Sequence, residues 1–114
     1  MARENQSDRR QGNGQRQADR LFREGVSVRE AAQQLELRPR KAWRLLEQFV
    51  VEHRVTDPSP WVTEEKADRI RQAAEESGDD RVSRLRQLAG NDIKPEEIKV
   101  VLACDRNGDP SLPY

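Results

Sequence analysis

The chain has 114 residues, 33% of them hydrophobic and 37% charged, with Lys+Arg 21 against Asp+Glu 21 and a net charge of +0. That length holds one domain and excludes a motor, and the small apolar share leaves a modest core beneath a crowded charged surface. The zero balance excludes a molecule-wide basic field, so a nucleic-acid site has to be a local patch. Cys104 and His53 are each the only residue of their type. A disulfide framework and the usual Cys/His zinc centres are therefore excluded, and one cysteine fits a cytoplasmic protein. No apolar run approaches the roughly 18–20 residues of a membrane span, and the polar N-terminus does not read as a signal peptide.

In chain order, residues 1–15 are polar and hold Gly12-Asn13-Gly14, which predicts a disordered, weakly basic tail. Residues 16–104 carry apolar residues at helical spacing and form the expected domain. Ala18, Leu21 and Phe22 make a first short stripe that Gly25 ends. Ser27 is placed to cap a second helix, with Glu30 completing a capping box and Val28, Ala31, Ala32 and Leu35 on one face. Pro39 suits the first turn of a third helix, whose buried stripe is Ala42, Leu45, Leu46, Phe49 and Val50. A connection with Pro58 and Pro60 leads to Thr63, the cap of a fourth helix that buries Ala67, Ile70 and Ala74 and ends at Ser77-Gly78. Val82, Leu85 and Leu88 mark a fifth helix closed by Gly90. Pro95 opens a sixth, with Ile98, Val101 and Leu102 facing inward. No stretch alternates long enough for a strand, and residues 51–55 offer a short ribbon at most. Residues 105–114 read as a flexible tail. Asp105, Asn107 and Asp109 lack the downstream Glu and flanking helices of a calcium loop. The predicted fold is all-α, a helix-turn-helix bundle of five or six short helices, winged-helix-like at most, with disordered tails.

The second and third helices have helix-turn-helix proportions, joined by Glu36-Leu37-Arg38-Pro39. Ala32 permits close approach, and Leu37 plugs the turn. Such turns often hold Gly where this chain has Glu36, because a left-handed backbone is costly for other residues. Residues 38–44 hold four bases, Arg38, Arg40, Lys41 and Arg44, and no acid. At 100° per residue, Arg40, Arg44 and Gln48 fall opposite the apolar stripe, with Lys41 beside them. They point to solvent from the N-terminal half of the helix, the part that a recognition helix presents to the major groove. Arg forks onto guanine or phosphate, and Gln pairs with adenine. Arg54 is a candidate for a flanking phosphate, as is Arg38. Trp43 falls at the core edge and Trp61 reads as a staple or lid of the fourth helix. His53 falls one turn beyond Phe49. Residues 63–80 hold seven acids against three bases and would repel DNA. Arg81, Arg84 and Arg86 make a second basic group.

The run Leu21-Phe22-Arg23-Glu24-Gly25-Val26-Ser27-Val28-Arg29-Glu30-Ala31-Ala32, then Leu37 and a basic helix, and the closing Ile93-Lys94-Pro95-Glu96-Glu97-Ile98-Lys99-Val100-Val101-Leu102-Ala103 resemble the helix-turn-helix domain at the C-terminus of bacterial RecQ-type DNA helicases and related proteins. The resemblance implies a non-catalytic accessory domain that binds nucleic acid or mediates contacts. Where that family's third helix often begins Ser/Thr-Thr-Ile and continues His-Leu, this chain has Arg40-Lys41-Ala42 and Leu45-Leu46, a more basic version. No Gly-x-x-x-x-Gly-Lys-Ser/Thr loop is present to cradle ATP phosphates. The chain is then either a piece of a helicase or a stand-alone relative.

The expected function is DNA binding through Arg38, Arg40, Lys41, Arg44, Gln48 and Arg54, duplex in preference to single strand, by a monomer without membrane contact. A helicase or another DNA-repair protein is the expected protein partner. The alternative is a protein-interaction adaptor that uses the acidic fourth helix or the Trp43 and Trp61 region. No nucleophile–base pair, metal cluster or phosphate loop suggests an enzyme, and no cofactor or metal is expected.

Overall fold

The computed structural model of the protein describes residues 14–78, 81–109 and 111. Among them are six helices and no strand: α1 (14–23), α2 (Val28–Gln34), α3 (Pro39–Glu52), α4 (Glu64–Ser77), α5 (Val82–Ala89) and α6 (Pro95–Gly108). The all-α reading holds, and no ribbon forms at 51–55, where Val51 and Glu52 complete α3. The expected N-terminal tail lies outside the described residues except for Gly14 and Gln15, which already belong to α1.

Local chemistry sets the helix starts. Ser27 Oγ accepts from the Glu30 N–H at 3.1 Å, and Thr63 Oγ1 accepts from the Lys66 N–H at 3.3 Å. Each satisfies one of the donors that a helix N-terminus leaves orphaned. Pro39 and Pro95 occupy first-turn positions, where a missing N–H is harmless. At the start of α6, Glu97 reaches back to accept from the Lys94 N–H at 2.9 Å.

The helix ends are tighter than the sequence suggests. α2 closes with Leu37 N–H on Ala32 O at 2.8 Å and Glu36 N–H on Gln33 O at 3.3 Å. That pair of bonds puts Glu36 in the left-handed position of a Schellman turn, with φ 54. α3 closes the same way, with Val55 N–H on Val50 O at 3.0 Å and Arg54 at φ 52. The recognition-type helix is therefore flanked by two left-handed residues that are not glycine. Gly25, at the corresponding place after α1, meets the same demand without a Cβ.

The core holds most of the predicted residues and some additions, while Leu21, Leu35 and Val82 are only partly buried against it. Ala42, Leu45, Leu46, Phe49 and Val50 of α3 pack with Phe22, Val28, Ala31, Ile70, Leu85 and Ile98. Phe22, Phe49 and Trp61 form an aromatic cluster, with centroids 5.9 Å apart for Phe22–Phe49 and 6.1 Å for each pair with Trp61. Trp61 Nε1 donates to Val26 O at 3.1 Å, so this tryptophan lids α1 and α3 and holds the lead into α2. Cys104 is buried, and desolvation first, then Asp105, pushes its thiol up to about 12.

Two expectations are corrected. Leu88 is 44% exposed, because successive three-residue steps from Val82 fall back by about 60° each. Ala89, four residues after Leu85, takes the inner place. Residues 105–108 are not tail but the last turn of α6. Asn107 Nδ2 donates to Val50 O at 2.9 Å and Val55 O at 2.8 Å, which ties α6 to the closing turn of α3. Asp105 accepts from Arg71 Nε at 3.1 Å.

α6 organises the whole. It packs against α3 and also against α4 and α5, while the backbones of α3 and α4 make no close approach to each other. The basic and acidic helices thus lie on different sides of one central helix.

Candidate nucleic-acid interface

α2 and α3 pack together across the Glu36–Pro39 turn, and Leu37 is half-buried against the core within it. The inner face of α3 is consumed by the core, so the backbone geometry leaves Arg40, Lys41, Arg44 and Gln48 exposed on the outer face. Arg38 is exposed at the N-cap, its backbone extended, and makes no side-chain cap. The first turn of α3 holds no acid. Its N-terminal partial positive charge therefore adds to the side chains around it.

Among the described residues, Arg38, Arg40, Lys41 and Arg44 make no ion pair. The bases of α4 behave differently. Lys66 Nζ meets Glu97 Oε2 at 3.4 Å. Arg69 donates to Asp92 at 2.8 and 3.0 Å and to Ala89 O at 2.6 and 3.0 Å, closing the end of α5. Hydrogen bonding from Arg69 holds the Asp92 carboxyl below the usual carboxylate range. Arg71 pairs with Asp105 at 3.1 Å and Asp68 at 3.4 Å. Burial pushes the Asp105 carboxyl up, and Arg71 works against that.

Arg38, Arg40, Lys41, Arg44 and Gln48 are thus brought together, whereas Arg54 is not. It lies at the far end of α3, about 20 Å along the axis from Arg40, and its backbone serves the closing turn of the helix. Within the second basic group, Arg86 is a structural residue. Its Nε donates to Ile93 O at 3.0 Å and its Nη2 to Asn91 O at 3.2 Å.

Sequence reasoning missed the contribution of α6. Lys99 is exposed and lines a cleft of about 370 Å³ with Arg40, Trp43, Arg44, Glu47 and Glu96. Nothing in the local pattern of α6 says which of its charged residues reaches α3. Packing of α6 on α3 decides it.

The profile of a helix-turn-helix domain family matches residues 15–102. The chain belongs to that family. Neither the curated proteins nor the solved structures give a match. A helix-turn-helix domain is in general a DNA-binding module and typically not a catalytic one. No helix among the described residues of this helix-turn-helix domain is long and apolar enough to cross a membrane.

At the other end of α3 the domain gathers three potential metal donors, Asp19, Glu52 and His53, whose ligand atoms lie within 4.8 Å of one another. His53 Nε2 sits 3.4 Å from Asp19 Oδ2, and its ring packs tilted against Phe49 with centroids 4.9 Å apart. Gln15 Nε2 donates to Asp19 Oδ1 at 2.6 Å and holds that carboxylate in place. Glu52 and His53 are exposed, so His53 is an edge residue that ties α1 to α3.

Proposed function

We propose that this helix-turn-helix domain binds DNA through the outer face of α3. Arg40, Lys41, Arg44 and Gln48 contact the DNA where α3 enters the major groove, the three bases on its phosphates, and Arg38 holds a flanking phosphate. Arg54 adds a phosphate contact only to a duplex long enough to span α3. The observation that carries this reading is the lack, among the described residues, of ion pairs for the four bases at the start of α3, beside a first turn without acid. Unpaired guanidinium and ammonium groups are free to displace the counterions of a phosphate backbone, which is the main source of affinity in non-specific binding. Duplex is favoured over single strand because a helix face fits the major groove.

On the same reading the chain acts without catalysis as a monomer, as an accessory domain of a bacterial, cytoplasmic RecQ-like helicase or as a stand-alone relative. A helicase or another DNA-repair protein is its natural partner. A second reading, a protein-interaction adaptor, draws support from Leu88, which is exposed beside Gln72 and Glu76 of the acidic α4. That surface suits a basic, partly apolar partner. A gel shift with duplex and single-stranded DNA at about 50 mM salt separates the two. Retardation that weakens with salt supports the DNA reading. No retardation of any nucleic acid overturns it and leaves the adaptor.

A further inference from the structure

A cleft of about 710 Å³ opens where the starts of α2, α3 and α6 meet. Leu37, Pro39, Trp43 and Trp61 supply its apolar lining, and Arg29 and Lys94 supply exposed cations. Its size falls within the range of ligand clefts, about 300–1,000 Å³. The acid that lines it, Glu97, is already engaged. One carboxylate oxygen accepts from the Lys94 N–H at 2.9 Å, and the other meets Lys66 Nζ at 3.4 Å. Arg29 and Lys94 make no ion pair among the described residues. The cleft thus combines a mostly apolar lining, interrupted by Ser27 and Gln33, with two cations that have no ion-pair partner among the described residues. A ligand that suits it has a flat apolar body and a negative group.

The surroundings narrow the class. Trp43 lines both this cleft and the smaller one that holds Arg40, Arg44 and Lys99. Pro39 stands between Arg38 and Arg40 in the chain. The cleft therefore adjoins the basic face of α3, where a DNA backbone lies on the reading proposed above. A nucleotide joins an aromatic base to a phosphate, the chemistry that the lining asks for. A base inside a duplex must first be unstacked and unpaired, at a cost that an already single-stranded base avoids.

We propose that the cleft takes one unpaired nucleotide of a DNA strand, its base against the tryptophan-lined wall and its phosphate on Arg29 and Lys94. This rests on the DNA reading and makes it more specific. The preferred substrate is a duplex that carries an unpaired nucleotide at an end or junction. Groove contacts by α3 hold the duplex, and the cleft reads the break in pairing.

The test uses the full chain and two hairpin duplexes, one fully paired and one with a single unpaired 2-aminopurine deoxynucleotide at its end. Binding is followed by anisotropy. The overhang should tighten binding about tenfold, the scale of stacking one base on an aromatic side chain. The fluorescence of 2-aminopurine should be quenched on binding. Trp43 and Trp61 are the two tryptophans of the chain, so intrinsic emission should change more with the overhang than with the paired hairpin. Arg29→Ala and Lys94→Ala, both at exposed side chains, should each remove most of the preference and leave affinity for the paired hairpin unchanged. Equal affinity for the two DNAs, or a preference that survives both substitutions, overturns the proposal while the DNA reading stands. Failure to bind either hairpin removes the DNA reading and this proposal with it.

Discussion

α3 and α4 are both 14 residues long, both pack on α6, and both turn an apolar stripe inward. They differ in what becomes of their bases. Along α4, Lys66, Arg69 and Arg71 each reach a carboxylate or a helix-end carbonyl on a neighbouring element. Along α3, Arg40, Lys41 and Arg44 reach none among the described residues. In one place a cation fastens the fold, and in the other it faces solvent. A charge count along the sequence does not separate the two, because the separation depends on which helix packs behind each base.

The inner faces should respond alike. Leu46→Ala in α3 and Ile70→Ala in α4, both at fully buried side chains, should each cost about 2–5 kcal/mol in urea unfolding. A small loss at one site alone would mean that the two helices do not share a core. The outer faces should respond in opposite ways. Arg71→Ala leaves the half-buried Asp105 without its main donor and should cost about 1–2 kcal/mol, with DNA affinity unchanged. Arg44→Ala should leave thermal stability within about 0.5 kcal/mol and weaken DNA binding. Equal effects of the two substitutions on DNA affinity would erase the distinction.

A gain is expected at the turn before α3. Glu36→Gly removes a Cβ from a left-handed residue and should stabilise by about 1 kcal/mol, read as a rise in Tm. No gain would mean that Glu36 carries no strain. The smallest effects concern acid. The Asp92 carboxyl is held below its ordinary value, chiefly by the Arg69 hydrogen bond. Its contribution is present above the unfolded pKa and is lost as pH falls through the folded one. The Asp105 carboxyl is raised by burial, so the folded state disfavours its charge, and that penalty is relieved as pH falls. Asp92→Asn should therefore lower Tm at neutral pH and converge with the parent in acid, as pH falls through the folded-state pKa of Asp92. A constant offset between the two melting curves across that range would contradict the assignment.

Much of the fold was legible because helix faces are written at short range. The stripe of Ala42, Leu45, Leu46, Phe49 and Val50 and the caps Ser27 and Thr63 need only neighbours within one or two turns. The failures have a common cause. Asn107-Gly108-Asp109-Pro110 reads as a turn, yet Asn107 finds two carbonyls at the far end of α3, and those long-range bonds extend the helix. Lys99 on the α3 side of α6, and Asp19 beside His53, likewise depend on packing between helices. The difference between free and engaged bases belongs to the same class.

The central claim is that the free bases of α3 are the DNA contacts. The most direct measurement is the slope of log affinity for duplex against log salt, taken for the parent, Arg44→Ala and Arg71→Ala. With Arg38, Arg40, Lys41 and Arg44 on phosphates, the parent slope should be about −3 to −4, at about −0.9 per phosphate. Arg44→Ala should make it shallower by about 1, and Arg71→Ala should leave it as it is. A parent slope near zero, or the same slope in all three proteins, would contradict the account.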